Sequence, residues 1–145
     1  MATPKELRTA VVQARAEYQA VLHAVAASGK WETVPTSGDG EEAWTVRKNT
    51  EHAIGGQIFH ANGISQACGA PTLDRPQIVC ETTADAAREL TLWGAVADDV
   101  LRHVSEGDLP KTVEMRMGTK TVEELMVILA NHLREHAENS RKAIS

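Results

Sequence analysis

The chain is poor in aromatic side chains, which make up 3% of its 145 residues as one phenylalanine, one tyrosine and three tryptophans. With so few aromatics the core must be largely aliphatic and alanine-rich, which disfavours a β-sandwich and favours close-packed helices. Cysteine is scarce too. Cys68 and Cys80 lack the paired spacing of a structural zinc site and both fall in an expected loop. They read as two free thiols in a reducing compartment, with a bridge closing that loop or a redox role as alternatives. No apolar run approaches the roughly 18 residues that span a bilayer, and the opening "MATPKELRTA" lacks the layout of a signal peptide. A soluble cytoplasmic protein is the expectation, with no membrane partner. Basic residues form no cluster, and the net charge is -5. An acidic surface argues against nucleic acid, because phosphate binding needs a basic one.

What the sequence does have is helical periodicity over a length suited to one domain, residues 1–145. Thr3, Pro4 and Glu6 open a first helix as cap, first-turn proline and capping box. Leu7, Val11, Ala14, Tyr18, Val21, Leu22 and Val25 then keep to one face until "ASG" at Ala27–Gly29. A polar stretch, "TVPTSGDGEEA", reads as an exposed, mobile loop. Thr45 caps a second helix that should run to about Gly63, through the adjacent Gly55 and Gly56. Each glycine costs roughly 1 kcal/mol against alanine in a helix. The pair therefore points to close packing or room for a ligand, or else to a simple kink. Residues 65–81 form a long connection. A third helix begins at Thr82 or Thr83 and carries Ala86, Leu90, Trp93, Ala97, Val100, Leu101 and Val104 on one stripe. "TVEMRM" alternates as a short extended piece. Thr121 and Glu124 box the start of a fourth helix, whose apolar face is Val122, Leu125, Ile128 and Leu129. The expected fold is all-α: a four-helix bundle whose long second connection permits a crossover instead of strict up-down-up-down order.

Helical geometry sorts the six histidines. Leu125, Leu129, His132 and His136 follow at steps of four, three and four, so both histidines face the interior. His23 and His103 fall off their stripes and read as surface residues. Asn49, His52, Gly56, His60 and Gly63 share one band on helix two, which is either a solvated face or the lining of a cavity. Two imidazoles one turn apart can converge on a single ion, and a third ligand from another helix would leave a position open for chemistry. Partly buried, hydrogen-bonded histidines are the alternative reading of the HxxxH pair. Glu51, Glu135 and Glu138 lie nearby in sequence, but charged helix residues are usually solvated, and no general base stands out.

These features together resemble the DinB/YfiT-like superfamily of metal-dependent four-helix bundles. The resemblance lies in "WTVRKNTEH", with Trp44, Thr45 and His52, and in "TVEELMVILANHLREH", with His132 and His136. It covers most of the chain. It implies His52, His132 and His136 as ligands of a divalent metal, zinc or nickel. It also implies two neighbouring helices running alike, a homodimer, and chemistry on a small-molecule substrate. Relatives that use mycothiol, bacillithiol or glutathione imply a low-molecular-weight thiol as second cofactor, in S-transfer or isomerisation at a small electrophile. Hydrolysis is the other chemistry such a site would allow. A non-catalytic metal or small-molecule binding bundle acting through homodimerisation is the alternative function. After His136 the chain departs from the pattern: "HAENSRK" lacks the further histidine and Gly-Gln pair of relatives. His60 matches no family position and is left as a cavity lining.

Overall fold

The computed structural model describes residues 2–35 and 40–144. The centre of the polar loop expected to be mobile, residues 36–39, lies outside the described residues. Four α-helices carry the fold: α1 (Pro4–Ser28), α2 (Val46–Ala67), α3 (Thr83–Arg102) and α4 (Val122–Arg141). All four start where the threonines predicted. Thr3, Thr45, Thr82 and Thr121 each accept a hydrogen bond from the backbone three residues on, and three of the four complete a capping box. Gly29 closes α1 at φ 69°, the left-handed cap that glycine tolerates best.

Each helix packs on two others, in the ring α1–α4–α2–α3. Cross-helix contacts give the directions. Arg8 reaches the carbonyls of Leu101 and Val104 while Gln19 reaches that of Ala87, so α1 and α3 are antiparallel. Asn49 meets Ser140, whereas a side chain at Gly63 would meet Leu125, so α2 and α4 are also antiparallel. Tyr18 meets Ser140 while Arg134 reaches the Ala10 carbonyl, so α1 and α4 run alike, and α2 and α3, neighbours in the ring and in sequence, therefore also point the same way. The link between them, residues 68–82, must therefore return the length of the bundle. It does so along α2. The side chain of Asn62 brackets the backbone of Leu73, Ile78 lies over Gly55, and Glu51 Oε2 accepts the backbone N–H of Cys80 at 2.7 Å. The long connection is thus the crossover the sequence allowed, and Glu51 anchors it instead of facing solvent unpartnered.

The core follows the predicted stripes: Leu7, Val11, Ala14, Tyr18, Leu22 and Val25 are buried on α1, and Leu125, Leu129 and Leu133 on α4. Full burial of each leucine contributes roughly 2 kcal/mol. Val21, Trp93, Val100 and Ile128 sit at the edges of their stripes and are half-buried. One expectation needs correction, and another is met and extended. Helix α2 continues four residues past Gly63, which packs against Met115 and Leu125 instead of ending the helix. The extended piece is half of a hairpin: β1 (Thr112–Met115) pairs antiparallel with β2 (Gly118–Thr121) across a turn at Arg116 and Met117. "GTKT" has no apolar residue to announce a strand. Cys68 and Cys80 are both free thiols, and Cys80 is buried. Among the described residues no helix is long and apolar enough to cross a membrane.

Candidate metal centre

Helices α2 and α4 face each other through the band that was undecided in the sequence. Asn49, Gly56, His60 and Gly63 are buried there, so the band lines the interior and not a solvated face. At Gly56 the backbone of α2 comes so close to α4 that an added Cβ would stand 2.6 Å from His132 Cε1 and 2.8 Å from its Nδ1. Glycine at this position is what lets the His132 ring lie against α2.

The result is a cluster in which the ligating nitrogens of His52, His132 and His136 all lie within 4.8 Å of one another. His132 Nε2 is 3.3 Å from His52 Nε2 and 3.1 Å from His136 Nε2. Imidazoles bound tetrahedrally to zinc at about 2.0–2.1 Å have nitrogens roughly 3.3 Å apart, so these spacings fit a shared ion. His136 is 5% exposed, His132 is half-buried, and His52 closes the cluster from the solvent side. The edge of the Trp44 ring abuts His52 at 5.0 Å between centroids. His23 and His103 are exposed and belong to no such cluster.

The donor chemistry also fits a cation. Asn49 donates from Nδ2 to the His136 carbonyl at 2.8 Å and to Ser140 Oγ at 2.7 Å. Its Oδ1 is therefore the acceptor that faces His136 Nδ1. That bond places the His136 proton on Nδ1 and leaves the Nε2 lone pair pointing at the cluster centre, the usual outer-shell arrangement of a metal-bound histidine. Ser140 continues the chain to Tyr18, whose hydroxyl donates to Thr50 at 3.0 Å. Burial raises the Tyr18 phenol to about 12, so it stays protonated and holds this network neutral. His132 Nδ1 is buried with no partner. With three nitrogens facing one point, lone pairs crowd together and at most one proton can be shared between neighbours; a cation satisfies all three.

Electrostatics keep the rings neutral, as ligands must be. Burial, joined by the neighbouring imidazoles, depresses His132 to about 3; burial and His52 depress His136 to about 4. His52 and His60 are lowered as well, chiefly by burial.

Two further groups border the centre. Glu41 stands on the short turn before α2, its carboxylate 3.7 Å from His136 Nε2 and 4.0 Å from His52 Nε2. Nothing in the sequence marks it, because only the tertiary fold brings that turn over the histidines. His60 donates Nδ1–H to the Gly56 carbonyl at 2.7 Å and packs edge-on against His132. It lines, with His52, Gly56 and His132, a cavity of about 360 Å³ completed by Phe59, Arg75, Arg116, Met117 and Ile128. A larger cleft of about 680 Å³ between the crossover and α3 is lined by apolar groups with Cys68, Asp99 and His103, and lies away from the triad. The smaller cavity adjoins the cluster through His52 and His132. Glu135 is exposed and Glu138 is engaged by Arg141; both line, with Glu41 and His136, a further pocket of about 440 Å³. No family model, curated protein or solved structure matches the chain.

Proposed function

We propose that this chain is a metal-dependent enzyme of the DinB/YfiT-like type, acting on a small electrophile with a low-molecular-weight thiol as nucleophile. The observation that carries the reading is the convergence of three imidazole nitrogens, from two helices, beside a cavity that a small molecule can enter. The parallel course of α2 and α3 supports the family resemblance, since neighbouring helices running alike are what it implies.

His52, His132 and His136 would hold a divalent metal, zinc or nickel. When bound, the ion supplies the positive charge that favours the deprotonated form of a thiol or water at the site. The chain's own residues do the rest. Asn49 orients His136. Gly56 gives His132 its place. Glu41, at the open side of the cluster, is positioned to accept the proton that the nucleophile gives up. Phe59, Met117 and Ile128 give the adjoining cavity apolar walls.

Elemental analysis of protein purified without a histidine tag tests this. Wild type and His103→Ala should each retain about one ion per chain, and His132→Ala less than about a tenth, with the helical signal unchanged. Equal metal in wild type and His132→Ala would overturn the site. A panel of thiols, followed by thermal shift of the loaded protein and by product formation from small electrophiles, then separates an enzyme from an inert binder.

A further inference from the structure

The cavity beside the triad has an unusual charge. The protein is acidic overall, yet among the described residues no aspartate or glutamate lines this space, while two arginines do. Arg75 comes from the crossover and Arg116 from the hairpin turn, two separate segments meeting over one opening. Among the described residues the chain has nine arginines. Arg8, Arg15, Arg47, Arg88, Arg102, Arg134 and Arg141 each hold a carboxylate or carbonyl oxygen. Arg75 and Arg116 hold none, and Arg75 instead rests over the Phe59 ring at 5.2 Å. An arginine on an aromatic face keeps its outer N–H groups free for a planar anion.

We propose that this cavity takes a small organic carboxylate, its apolar body against Phe59, Met117 and Ile128 and its carboxylate between Arg75 and Arg116. The inference deepens the functional reading above by naming the class of molecule bound next to the histidines, and it rests on that reading only for the reaction. The histidines present neutral lone pairs to the cavity, and the arginines present fixed positive charge, with Arg75 near enough to His52 to disfavour its protonation. A carboxylate bound at the arginines leaves the remainder of the molecule over His60 and His132, where a reacting carbon would lie.

The test is calorimetric titration of acetate, hexanoate and phenylacetate, with phenylacetamide as the neutral match, into the metal-free and the zinc-loaded full chain. Phenylacetate should bind both forms, at least about tenfold more tightly than phenylacetamide, and more weakly as salt rises. Arg75→Gln and Arg116→Gln should each weaken it by about tenfold, the scale of one charge-assisted bidentate contact. Both side chains are exposed and neither holds a hydrogen bond or ion pair among the described residues, so the variants should stay within a degree or so of the wild-type melting temperature, the loss of the Arg75–Phe59 contact included. The proposal is overturned if no carboxylate in the panel binds, or if phenylacetamide binds as well as phenylacetate. It is equally overturned if binding requires zinc and ignores both substitutions, because the carboxylate then sits on the ion. Arginine-dependent binding in a chain that takes up no zinc would sink the metal reading and leave this one standing.

Discussion

Gly55 and Gly56 are adjacent in one helix, and replacing each by alanine should have opposite consequences. In a helix interior alanine is favoured over glycine by roughly 1 kcal/mol. At Gly55 a new Cβ meets only Ile78 Cγ1, at 3.9 Å, an ordinary contact. Gly55→Ala should therefore stabilise the metal-free chain by up to about 1 kcal/mol and leave metal binding unchanged. At Gly56 the Cβ would stand 2.6 Å from His132 Cε1, about 0.9 Å inside the optimal separation of two carbons. The ring must move by about that much. Metal ligation tolerates errors of about 0.2 Å, so His132 would leave the cluster. Losing an outer-shell partner already costs 10- to 100-fold in affinity, and Gly56→Ala should weaken zinc by at least about 100-fold. Competition with a chromophoric chelator measures both variants, and cobalt absorption reports whether the nitrogen geometry survives. Unchanged zinc affinity in Gly56→Ala would refute the claim that this glycine is the seat of the His132 ring.

Other outcomes follow from the same structure. Asn49→Ala removes three buried hydrogen bonds and frees the His136 ring, so zinc affinity should fall 10- to 100-fold and urea stability by about 1–3 kcal/mol. The metal-free protein should weaken as the medium is acidified from pH 7 to 4.5. His132 and His136 protonate only at about 3 and about 4 when folded, against 6.5 when free, so the unfolded chain takes up more protons across that window. A double His132→Leu, His136→Leu variant should show a flatter urea midpoint over the same range. Cys80 is buried, its thiol pushed up to about 11 first by burial and then by Glu51. A thiol reagent at pH 8 should therefore label Cys68 in the native chain and Cys80 only after denaturation. A Cβ at Gly94 would stand 2.2 Å from Arg15 Nε. Gly94→Ala should accordingly disrupt the Arg15–Asp98 pair and lower stability by about 1–3 kcal/mol in urea unfolding, despite its helix propensity.

The helices and the HxxxH pair could be read from the chain because both are local. Capping threonines act within one turn, and the 3.6-residue period puts His132 and His136 on the leucine stripe without any tertiary information. His52 was harder. Its band is small and polar, and spacing alone could not say whether it faced water or α4; the family resemblance supplied the assignment. Asn49 lay on that band but gained its role only from a contact 87 residues away. Glu41, Arg75 and Arg116 sit on a turn, a crossover and a hairpin tip, where no periodicity operates and neighbours are set by how the helices close. Arg15 escaped for a related reason. A charged residue beside an apolar stripe normally reaches solvent, yet Gln57 and Asp98 meet its head group inside the bundle at 2.7 Å.

The crossover along α2 has a consequence for how such a protein can change. The three imidazoles stand on packed rods whose positions are fixed by the core, while the groups that would greet an incoming molecule hang from irregular chain laid over it. Replacing the residues around position 75, or the hairpin tip at 116 and 117, alters no contact between one helix and another. One scaffold can therefore vary the surface around its cavity while its inner nitrogen cluster stays put.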